Sequence, residues 1–527
     1  MDNSGEIFQR LSSYEKHKTM GPLNLFLFVS TVCPLECTFC ARRVYLDIKK
    51  GRASDIDRFA AISLFGLDSG TLSNVKAKLM VGYEEIADEI TKKKESRDAS
   101  SSIDKIIMGS EPLDYSKYKG CARIIEESPR DDRVPLYAYS IIKIREKLSG
   151  DMNHRMPLDV YIRVVREAAA LGVRNIYLTG AIGEPLSDRD FLMEIMKEIG
   201  KHDIVGHLTT NGYYGDTEIA EQLVEMEWPS VIISIDGAKA ETHDRLRGKN
   251  GSFGRAFAFL KQLKETKLAS KKAFPRISVS AVVNRLNFCE IIDHFELMEG
   301  AGADSVYYSP IRIYTKEAGR KLVMRDGDET ELKRLIEKER LRWEDSGVKN
   351  NINSLMDWEK GYGYGPCVHP KKGIFEDVVH FTNWNGTPHN DKVIPDRIKC
   401  TEPWTSMAVD ANGSVVQCCV SSIPLINMNV NDHSLGEIWH SERYGHLRDH
   451  FIEGKLPYEC KNHCLPPIMN DQKNLIEVFL ETKKVSDFKK KGPMASTIER
   501  VDNEITRLTG IDIKRKIKDI RDKISKT

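Results

Sequence analysis

The sequence predicts an α/β fold in which a partial (β/α)6 barrel is followed by a C-terminal extension. Two observations support this prediction: short apolar strands alternate with amphipathic helices from residue 157 onward, and closely spaced cysteines stand before and after that region. The chain has 527 residues, and single cores rarely grow beyond about 250–300 residues, so we expect several domains.

The first strand of the predicted barrel covers residues 23–29, and five more strands follow the long segment that ends at residue 156. Predicted strands lie at 175–179, 204–210, 231–235, 277–283 and 305–309. Predicted helices lie at 158–171, 190–199, 217–226, 253–263 and 290–298. Strands joined by helical crossovers form a parallel sheet with helices outside, and six strands are too few for a closed eight-stranded barrel. An open, partial barrel is therefore expected.

Charge and hydropathy exclude several classes of partner and location. Lysine and arginine number 79 against 78 acidic residues, so the net charge of +1 predicts neither a nucleic acid nor a membrane partner. The N-terminus lacks the basic and apolar pattern of a secretory signal. The most apolar run, residues 23–32, is shorter than the roughly 20 residues that cross a bilayer. We expect a cytoplasmic protein.

The eleven cysteines favour metal binding over disulfides, because the cytosol keeps thiols reduced. Eight fall in groups, whereas Cys121, Cys289 and Cys367 stand alone and are interpreted as ordinary buried or loop thiols. The first group, CPLECTFC, places Cys33, Cys37 and Cys40 just after the first strand. Three thiolates can bind three irons of a cubane and leave the fourth iron open, but this spacing alone also allows a zinc or structural site.

Four motifs at successive strand ends extend this interpretation. They are CPLECTFC, TGAIGEPL at 179–186, TTNG at 209–212, and SIDG at 234–237 followed by HDRLRG. Together they resemble the radical S-adenosylmethionine superfamily, in which a [4Fe-4S] cluster cleaves S-adenosylmethionine. In TGAIGEPL two residues separate the first glycine from Gly183, unlike the family's Gly-Gly-Glu-Pro motif. Parallel α/β folds bind ligands at the carboxyl ends of their strands, where all four motifs fall.

The resemblance implies roles for five residues in binding S-adenosylmethionine. Gly183 and Glu184 would receive its amino group, Phe39 and Thr210 would contact the adenosine, and Ser234 would hold the carboxylate or ribose. The implied reaction yields a 5′-deoxyadenosyl radical that removes a hydrogen atom from a substrate. A low-potential electron donor such as flavodoxin or ferredoxin is implied as a partner.

A second cysteine set lies downstream, and its spacing alone leaves a structural zinc site as an alternative. It comprises Cys400, Cys418, Cys419, Cys460 and Cys464. The DANG sequence at 410–413 lies between apolar residues and predicts a hairpin turn, which would bring Cys400 and Cys418 together. The surrounding sequence resembles the SPASM and twitch branch of the superfamily, and this resemblance implies one auxiliary [4Fe-4S] cluster on Cys400, Cys418 or Cys419, Cys460 and Cys464.

Six segments are predicted from these patterns. The radical S-adenosylmethionine core comprises 23–43 and 157–315, and the SPASM- or twitch-like extension comprises 398–466. The chain is completed by four further segments: an N-terminal extension (1–22), an insertion that is either a surface segment or a lid (44–156), a connector (316–397) and a charged helical tail (467–527).

Three functions are compatible with the sequence. The first is modification of a peptide or protein residue, and the second is oxidation or rearrangement of a small molecule such as a sugar or cyclitol. The third is a non-catalytic iron-sulfur or zinc scaffold. Glu184 and Ser234 argue against a scaffold, since a scaffold needs no site for the cofactor.

Overall fold

The structure is a computed structural model that describes three parts of the chain and the isolated residue Arg10. These parts are 20–43 without 41; 155–360 without 181, 312–317 and 319–320; and 402–452 without 420–425 and 427. The predicted helical tail lies outside the described residues. So do most of the predicted insertion, of which only residues 155 and 156 are described, and Cys121, Cys367, Cys400, Cys460 and Cys464.

Nine strands in the described residues form one sheet. They are β1 (Asn24–Phe28), β2 (Asn175–Thr179), β3 (Val205–Thr210), β4 (Ser230–Ser234), β5 (Arg276–Val283), β6 (Ser305–Pro310), β7 (Lys349–Asn350), β8 (Ser406–Val409) and β9 (Val415–Val416). Their spatial order is β7-β6-β5-β4-β3-β2-β1-β8-β9, and every neighbouring pair is parallel except β8 and β9. The sheet is open, as the sequence predicts.

Ten α-helices accompany these strands in the described ranges. They are α1 (Leu158–Ala170), α2 (Arg189–Ile199), α3 (Thr217–Glu225), α4 (Ala240–Arg247), α5 (Ser252–Ala269), α6 (Ile291–Gly300), α7 (Asp326–Lys338), α8 (Glu402–Thr405), α9 (Leu435–Trp439) and α10 (Glu442–Ile452). None of them is long and apolar enough to span a bilayer.

The sequence prediction lacks five of these helices, α4 and α7 to α10, and α4 is the one that bears on the first cysteine group. Its sequence, AETHDRLR, is mostly charged, and only His243, Leu246 and Arg247 are buried. Apolar periodicity, the signal on which the other helices were predicted, is therefore weak in this segment. The omission matters because α4 supports the first cysteine group.

Alternate residues of the central strands face two different environments. Leu25, Leu27, Ile176, Leu178 and Leu208 are fully buried in one apolar core with residues of the surrounding helices. This period of two is the pattern expected of strands with one face against a core.

The opposite face of the sheet carries a ladder of aromatic rings. Phe26 stacks on Tyr177 with 4.6 Å between ring centroids, and Tyr177 stacks on His207 at 4.4 Å. These residues are in register across β1, β2 and β3. Burial lowers the pKa of His207 to about 4, so the ring is neutral near pH 7.

The C-terminal segment joins the same sheet. β8 pairs in parallel with β1, so that Leu27 lies opposite Val409, and β9 folds back against β8. The turn between them contains Gly413 at φ +88°, and the Gly413 N–H donates to the carbonyl oxygen of Asp410 at 2.8 Å. The predicted DANG hairpin is thus confirmed.

Candidate functional site

The four predicted motifs meet at the carboxyl edge of the sheet, beyond β1, β2, β3 and β4. Backbone hydrogen bonds join the first two loops, because the Glu184 N–H donates to the carbonyl oxygen of Val32 at 2.7 Å. The Arg42 guanidinium donates to the carbonyl oxygens of Thr31 and Ile182 and links the same two loops. The ends of parallel strands share one edge of a sheet, and this brings residues distant in sequence together.

We define the first cysteine loop as residues 33–40, and this loop packs on the C-terminal end of α4. The Thr38 N–H donates to the carbonyl oxygen of Leu246 at 2.9 Å, and the Glu36 N–H donates to that of Arg247 at 3.2 Å. Gly248 ends the helix at φ +67°, and a Cβ atom there would lie 2.2 Å from the carbonyl oxygen of Glu36. Only glycine permits both this backbone conformation and this close approach.

The three thiols of the loop are in a desolvated environment. Cys37 is buried, whereas Cys33 and Cys40 are half-buried. Burial raises the pKa of all three thiols, that of Cys33 to about 11. Deprotonating them therefore requires compensating positive charge, which metal ligation supplies.

Glu184 follows β2 and fastens its loop to the end of β3. Its side chain is 1% exposed, and its carboxylate accepts hydrogen bonds from the Thr210 hydroxyl, the Asn211 N–H at 2.7 Å and the Leu186 N–H at 3.0 Å. Burial raises the pKa of Glu184, although these hydrogen bonds act in the opposite direction. In this structure the carboxylate holds two strand ends together.

The other predicted cofactor-binding residues lie at the same edge. Thr210 is buried, and its hydroxyl also accepts from the Gly212 N–H at 3.0 Å. Gly183 packs on the first loop so closely that a Cβ atom would lie 2.1 Å from the Ser30 carbonyl oxygen. Ser234 ends β4 half-buried. The predicted contacts of these residues and of Phe39 with S-adenosylmethionine stay predictions.

Asn211, Asp236 and Arg247 are site residues to which sequence reasoning gave no role. The Asn211 side-chain amide donates to the Cys33 Sγ atom at 3.5 Å. Asp236 and Arg247 are both buried and form an ion pair with 2.6 Å between Oδ2 and Nε. Asn211 and Asp236 stand within TTNG and SIDG, and this position inside a motif was the available signal.

Cys418 and Cys419, called here the second cysteine pair, lie just after β9. Cys418 is half-buried and Cys419 is exposed. Burial raises the pKa of Tyr444 and Tyr177, and the negative charge of Cys418 adds to the effect at Tyr444, as that of Cys419 does at Tyr177. The two consecutive thiols therefore act on two different tyrosines.

The residues of the first loop fit a [4Fe-4S] cluster. In a cubane each thiolate binds a different iron, so three thiols on one loop can serve three corners without converging on one point. Among the described residues, no group of three or more histidine, cysteine or acidic side chains is arranged to ligate a single metal ion.

Two protein-family models match the chain. The radical SAM superfamily model matches residues 144–298, and the iron-sulfur cluster-binding (SPASM) domain model matches residues 400–465. The chain therefore carries a radical S-adenosylmethionine domain followed by a SPASM domain, as the sequence motifs predict. The first implies a [4Fe-4S] cluster with S-adenosylmethionine, and the second implies auxiliary iron-sulfur clusters.

Individual relatives match parts of the chain. The AdoMet-dependent heme synthase of Methanosarcina barkeri is 35% identical over 26% of this chain and 37% of its own length. The PqqA peptide cyclase of Methylocella silvestris is 24% identical over 53% of this chain and 64% of its own length. The crystal structure of Streptococcus suis SuiB bound to S-adenosylmethionine has a TM-score of 0.44 and 14% identity, covering 84% of this chain and 71% of that chain. The chain thus spans less than two thirds of the curated relatives' length.

Proposed function

We propose that this protein is a radical S-adenosylmethionine enzyme that modifies a residue of a peptide or protein. The observation that carries the proposal is the position of the first cysteine loop. That loop lies outside the segment matched by the radical SAM model, yet β1 pairs with β2 along its whole length and delivers Cys33 to within 3.5 Å of Asn211 in the TTNG motif.

When bound, the cluster and S-adenosylmethionine supply reductive cleavage to a 5′-deoxyadenosyl radical, which abstracts a hydrogen atom from the substrate. The protein's own residues provide the ligands and the enclosure. Cys33, Cys37 and Cys40 would hold the cluster, while Gly183, Glu184, Thr210, Ser234 and Phe39 would surround the cofactor. Glu184 fixes the mutual position of the β2 and β3 ends, which keeps this binding edge rigid.

A peptide substrate is supported by the relative named a PqqA peptide cyclase, whose match covers 53% of this chain. A second candidate function, chemistry on a small molecule, is supported by the match to a heme synthase at 35% identity. A short precursor peptide encoded beside the gene would favour the peptide substrate. Adding that peptide should then raise 5′-deoxyadenosine formation above the rate without substrate. If the substrate is a small molecule, the peptide should have no effect and the small molecule should raise the rate instead.

The electron donor is proposed to be flavodoxin- or ferredoxin-like, docking beside the first loop. Arg245 and Arg255 are exposed and Lys249 is half-buried, and all three lie on α4, α5 or the turn between them. Both Lys249 and Arg255 lie over the ring of Tyr213, at 4.8 Å and 4.5 Å. This basic surface is complementary to an acidic donor, so the rate of reduction by such a donor should fall with ionic strength.

The proposed activity is tested on the full chain reconstituted anaerobically with iron and sulfide. We expect about eight irons per chain, which correspond to two [4Fe-4S] clusters, and slow formation of 5′-deoxyadenosine after dithionite and S-adenosylmethionine are added. The matched control replaces Cys33, Cys37 and Cys40 by alanine and should retain only about four irons. Absence of 5′-deoxyadenosine from the fully loaded wild-type protein would contradict the enzymatic proposal.

About four irons in the wild-type protein would instead remove the auxiliary cluster. Its proposed ligands are Cys400, Cys418 or Cys419, Cys460 and Cys464. Replacing Cys418 and Cys419 one at a time should identify the ligand, because only one of the two variants should lose iron. The domain boundaries given for the sequence also stay proposals, and limited proteolysis tests them.

A further inference from the structure

We propose that Arg247, fixed in place by Asp236, is a positioning residue that raises the reduction potential of the cluster on Cys33, Cys37 and Cys40. It does so by holding a permanent positive charge beside the Cys37 ligand. The inference rests on the proposed function, since it requires a cluster on the first cysteine loop.

The guanidinium of Arg247 lies directly behind the loop. The residue is 8% exposed, its Cζ atom lies 5.5 Å from the ring centroid of Phe39, and its carbonyl oxygen accepts from the Glu36 N–H. The backbone of the first cysteine loop and the ring of Phe39, next to Cys40, thus both pack on Arg247. Arginine cannot lose its charge in a protein, so the positive charge is constant at any working pH.

Cys37 lies between two residues that are hydrogen-bonded to the C-terminal end of α4. The Glu36 N–H donates to the carbonyl oxygen of Arg247 at 3.2 Å, and the Thr38 N–H donates to that of Leu246 at 2.9 Å. Cys37 and Arg247 are both buried. The charge of Arg247 therefore acts on the Cys37 ligand through a desolvated environment, in which electrostatic interactions are stronger than in water.

Asp236, the counter-ion of Arg247, is itself held by neighbouring elements. Its carboxylate accepts from the Val282 N–H at 2.9 Å, in addition to pairing with Arg247. Its own N–H donates to His243 Nδ1 at 3.1 Å, and its carbonyl oxygen accepts from the Asn287 amide at 2.6 Å. Strand β5 thus contacts the carboxylate, while helix α4 and the turn after β5 hold the backbone that carries it.

Stability alone is a weak explanation for this pair. Desolvating two charges costs several kcal/mol each, and buried ion pairs are often replaceable by apolar residues without loss of stability. A buried pair whose positive end faces a metal ligand can instead act on the bound group. This is why we assign the pair a role toward the cluster.

The direction of the effect follows from charge balance. Reduction transfers one electron from an external low-potential donor to the cluster, and no electron or proton comes from Arg247. The cluster with its three thiolates becomes more negative by one charge, so a nearby positive charge stabilises the reduced form more than the oxidised form. Removing Arg247 must lower the potential, and neutralising Asp236 must raise it.

The test is a redox titration of the reconstituted full-length protein, followed by electron paramagnetic resonance of the reduced first cluster. Arg247→Met should lower the ratio of reduced to oxidised cluster at a fixed potential by about tenfold, which is about 59 mV for a one-electron couple. Arg247→Lys should retain most of the wild-type ratio. Asp236→Asn should shift the ratio in the opposite direction.

Arg342→Met is the matched control, because Arg342 pairs with Glu296 and Asp293 of α6 instead of contacting the loop. It should titrate like the wild type. Opposite shifts for Arg247→Met and Asp236→Asn cannot arise from a merely structural role, which would impair cluster loading in the same direction. If Arg247→Met prevents loading, the Asp236→Asn shift and the double variant Arg247→Met/Asp236→Asn still decide the proposal.

Unchanged potentials in loaded variants would overturn this inference and leave the proposed function intact. Failure of the wild-type protein to assemble a cluster on Cys33, Cys37 and Cys40 would overturn the proposed function itself. The two failures are therefore distinguishable.

Discussion

The first cysteine loop and the second cysteine pair lie toward opposite edges of the sheet and have different surroundings. The first loop follows β1 at the carboxyl edge of the sheet. β9 runs antiparallel to β8, so the chain leaves it toward the amino end of β8 and β1, where Cys418 and Cys419 follow. A five-residue strand such as β1 spans about 17 Å, which sets the scale of the separation.

The surroundings differ in chemistry as well as in place. Asn211 donates to Cys33 in the first loop, and the Glu36 and Thr38 N–H groups donate to carbonyl oxygens at the C-terminal end of α4. The described residues on which the charges of the second pair act are Tyr177 and Tyr444. The two groups of thiols therefore differ in the residues around them.

The largest expected effect distinguishes the first cysteine loop from a cysteine that belongs to neither group. Cys37→Ala should reduce 5′-deoxyadenosine formation by at least about 100-fold, because a cluster with one ligand missing no longer binds and reduces S-adenosylmethionine in the required geometry. Cys289→Ala, at an exposed lone cysteine, is the control and should keep wild-type turnover. Equal turnover in Cys37→Ala and the control would break the distinction drawn here.

The second prediction concerns the close backbone packing at the first site. Gly183→Ala should lower the free energy of unfolding by about 3 kcal/mol, because its Cβ atom would lie 2.1 Å from the Ser30 carbonyl oxygen and the backbone would have to move. Gly254→Ala is the matched control, since no atom lies within 4 Å of its Cβ position on α5. It should be neutral or stabilising by about 0.5–1 kcal/mol. Chemical denaturation measures both.

The third prediction tests the packing of the C-terminal segment. Arg448 donates to the carbonyl oxygens of Pro403 at 2.9 Å and Trp439 at 3.0 Å, and it lies over the rings of Trp439 and Tyr444. Arg448→Met should cost about 2 kcal/mol by leaving buried carbonyl groups without donors. Tryptophan fluorescence during denaturation should report the change.

Its matched control is Arg334→Met, which removes a guanidinium from an exposed pair with Glu331. Solvent-exposed pairs of this kind contribute little to stability, so the unfolding midpoint of this variant should change little. If Arg448→Met also lost the first cluster, the first cysteine loop would depend on the packing of the C-terminal segment.

The smallest expected effect is a dependence on pH at Glu184. Its folded-state pKa lies above the unfolded value of 4.5, so the carboxyl group contributes stability that is present below the unfolded pKa and is lost as pH rises through the folded pKa. Glutamine does not ionise, so the Glu184→Gln variant does not lose stability in this way as pH rises. Its deficit relative to wild type, about 1 kcal/mol, should therefore be smaller at a pH well above 4.5 than at a pH near 4.5.

Urea midpoints at the two pH values measure this deficit. Exposed Glu218→Gln serves as the control and should keep a constant difference within about 0.5 kcal/mol. A Glu184→Gln deficit that grows with pH would mean that the carboxylate, once charged, stabilises the two strand ends more than burial destabilises it.

The sequence predicted the six core strands well because each has a strong local signal. Residues 175–179 were predicted as a strand, and β2 is Asn175–Thr179. Each of β2 and β4 is a short apolar run with polar residues at both ends, and the alternation of buried and half-buried residues along it reflects its two faces. Helix α4 escaped prediction because its buried residues include His243 and Arg247, whose burial depends on Asp236 and Phe253 rather than on hydrophobicity.

The sequence by itself determined the thiols, their spacing and the order of motifs along the strands, since these depend on residue type and on local periodicity. Only the tertiary structure decided which side chains support them. Asn211 reaches Cys33, Glu36 donates to the carbonyl oxygen of Arg247, and β8 pairs with β1, although the partners in each pair are separated by at least 170 residues. Sheet pairing brings such residues together, and pairing between distant strands has no local signature in the sequence.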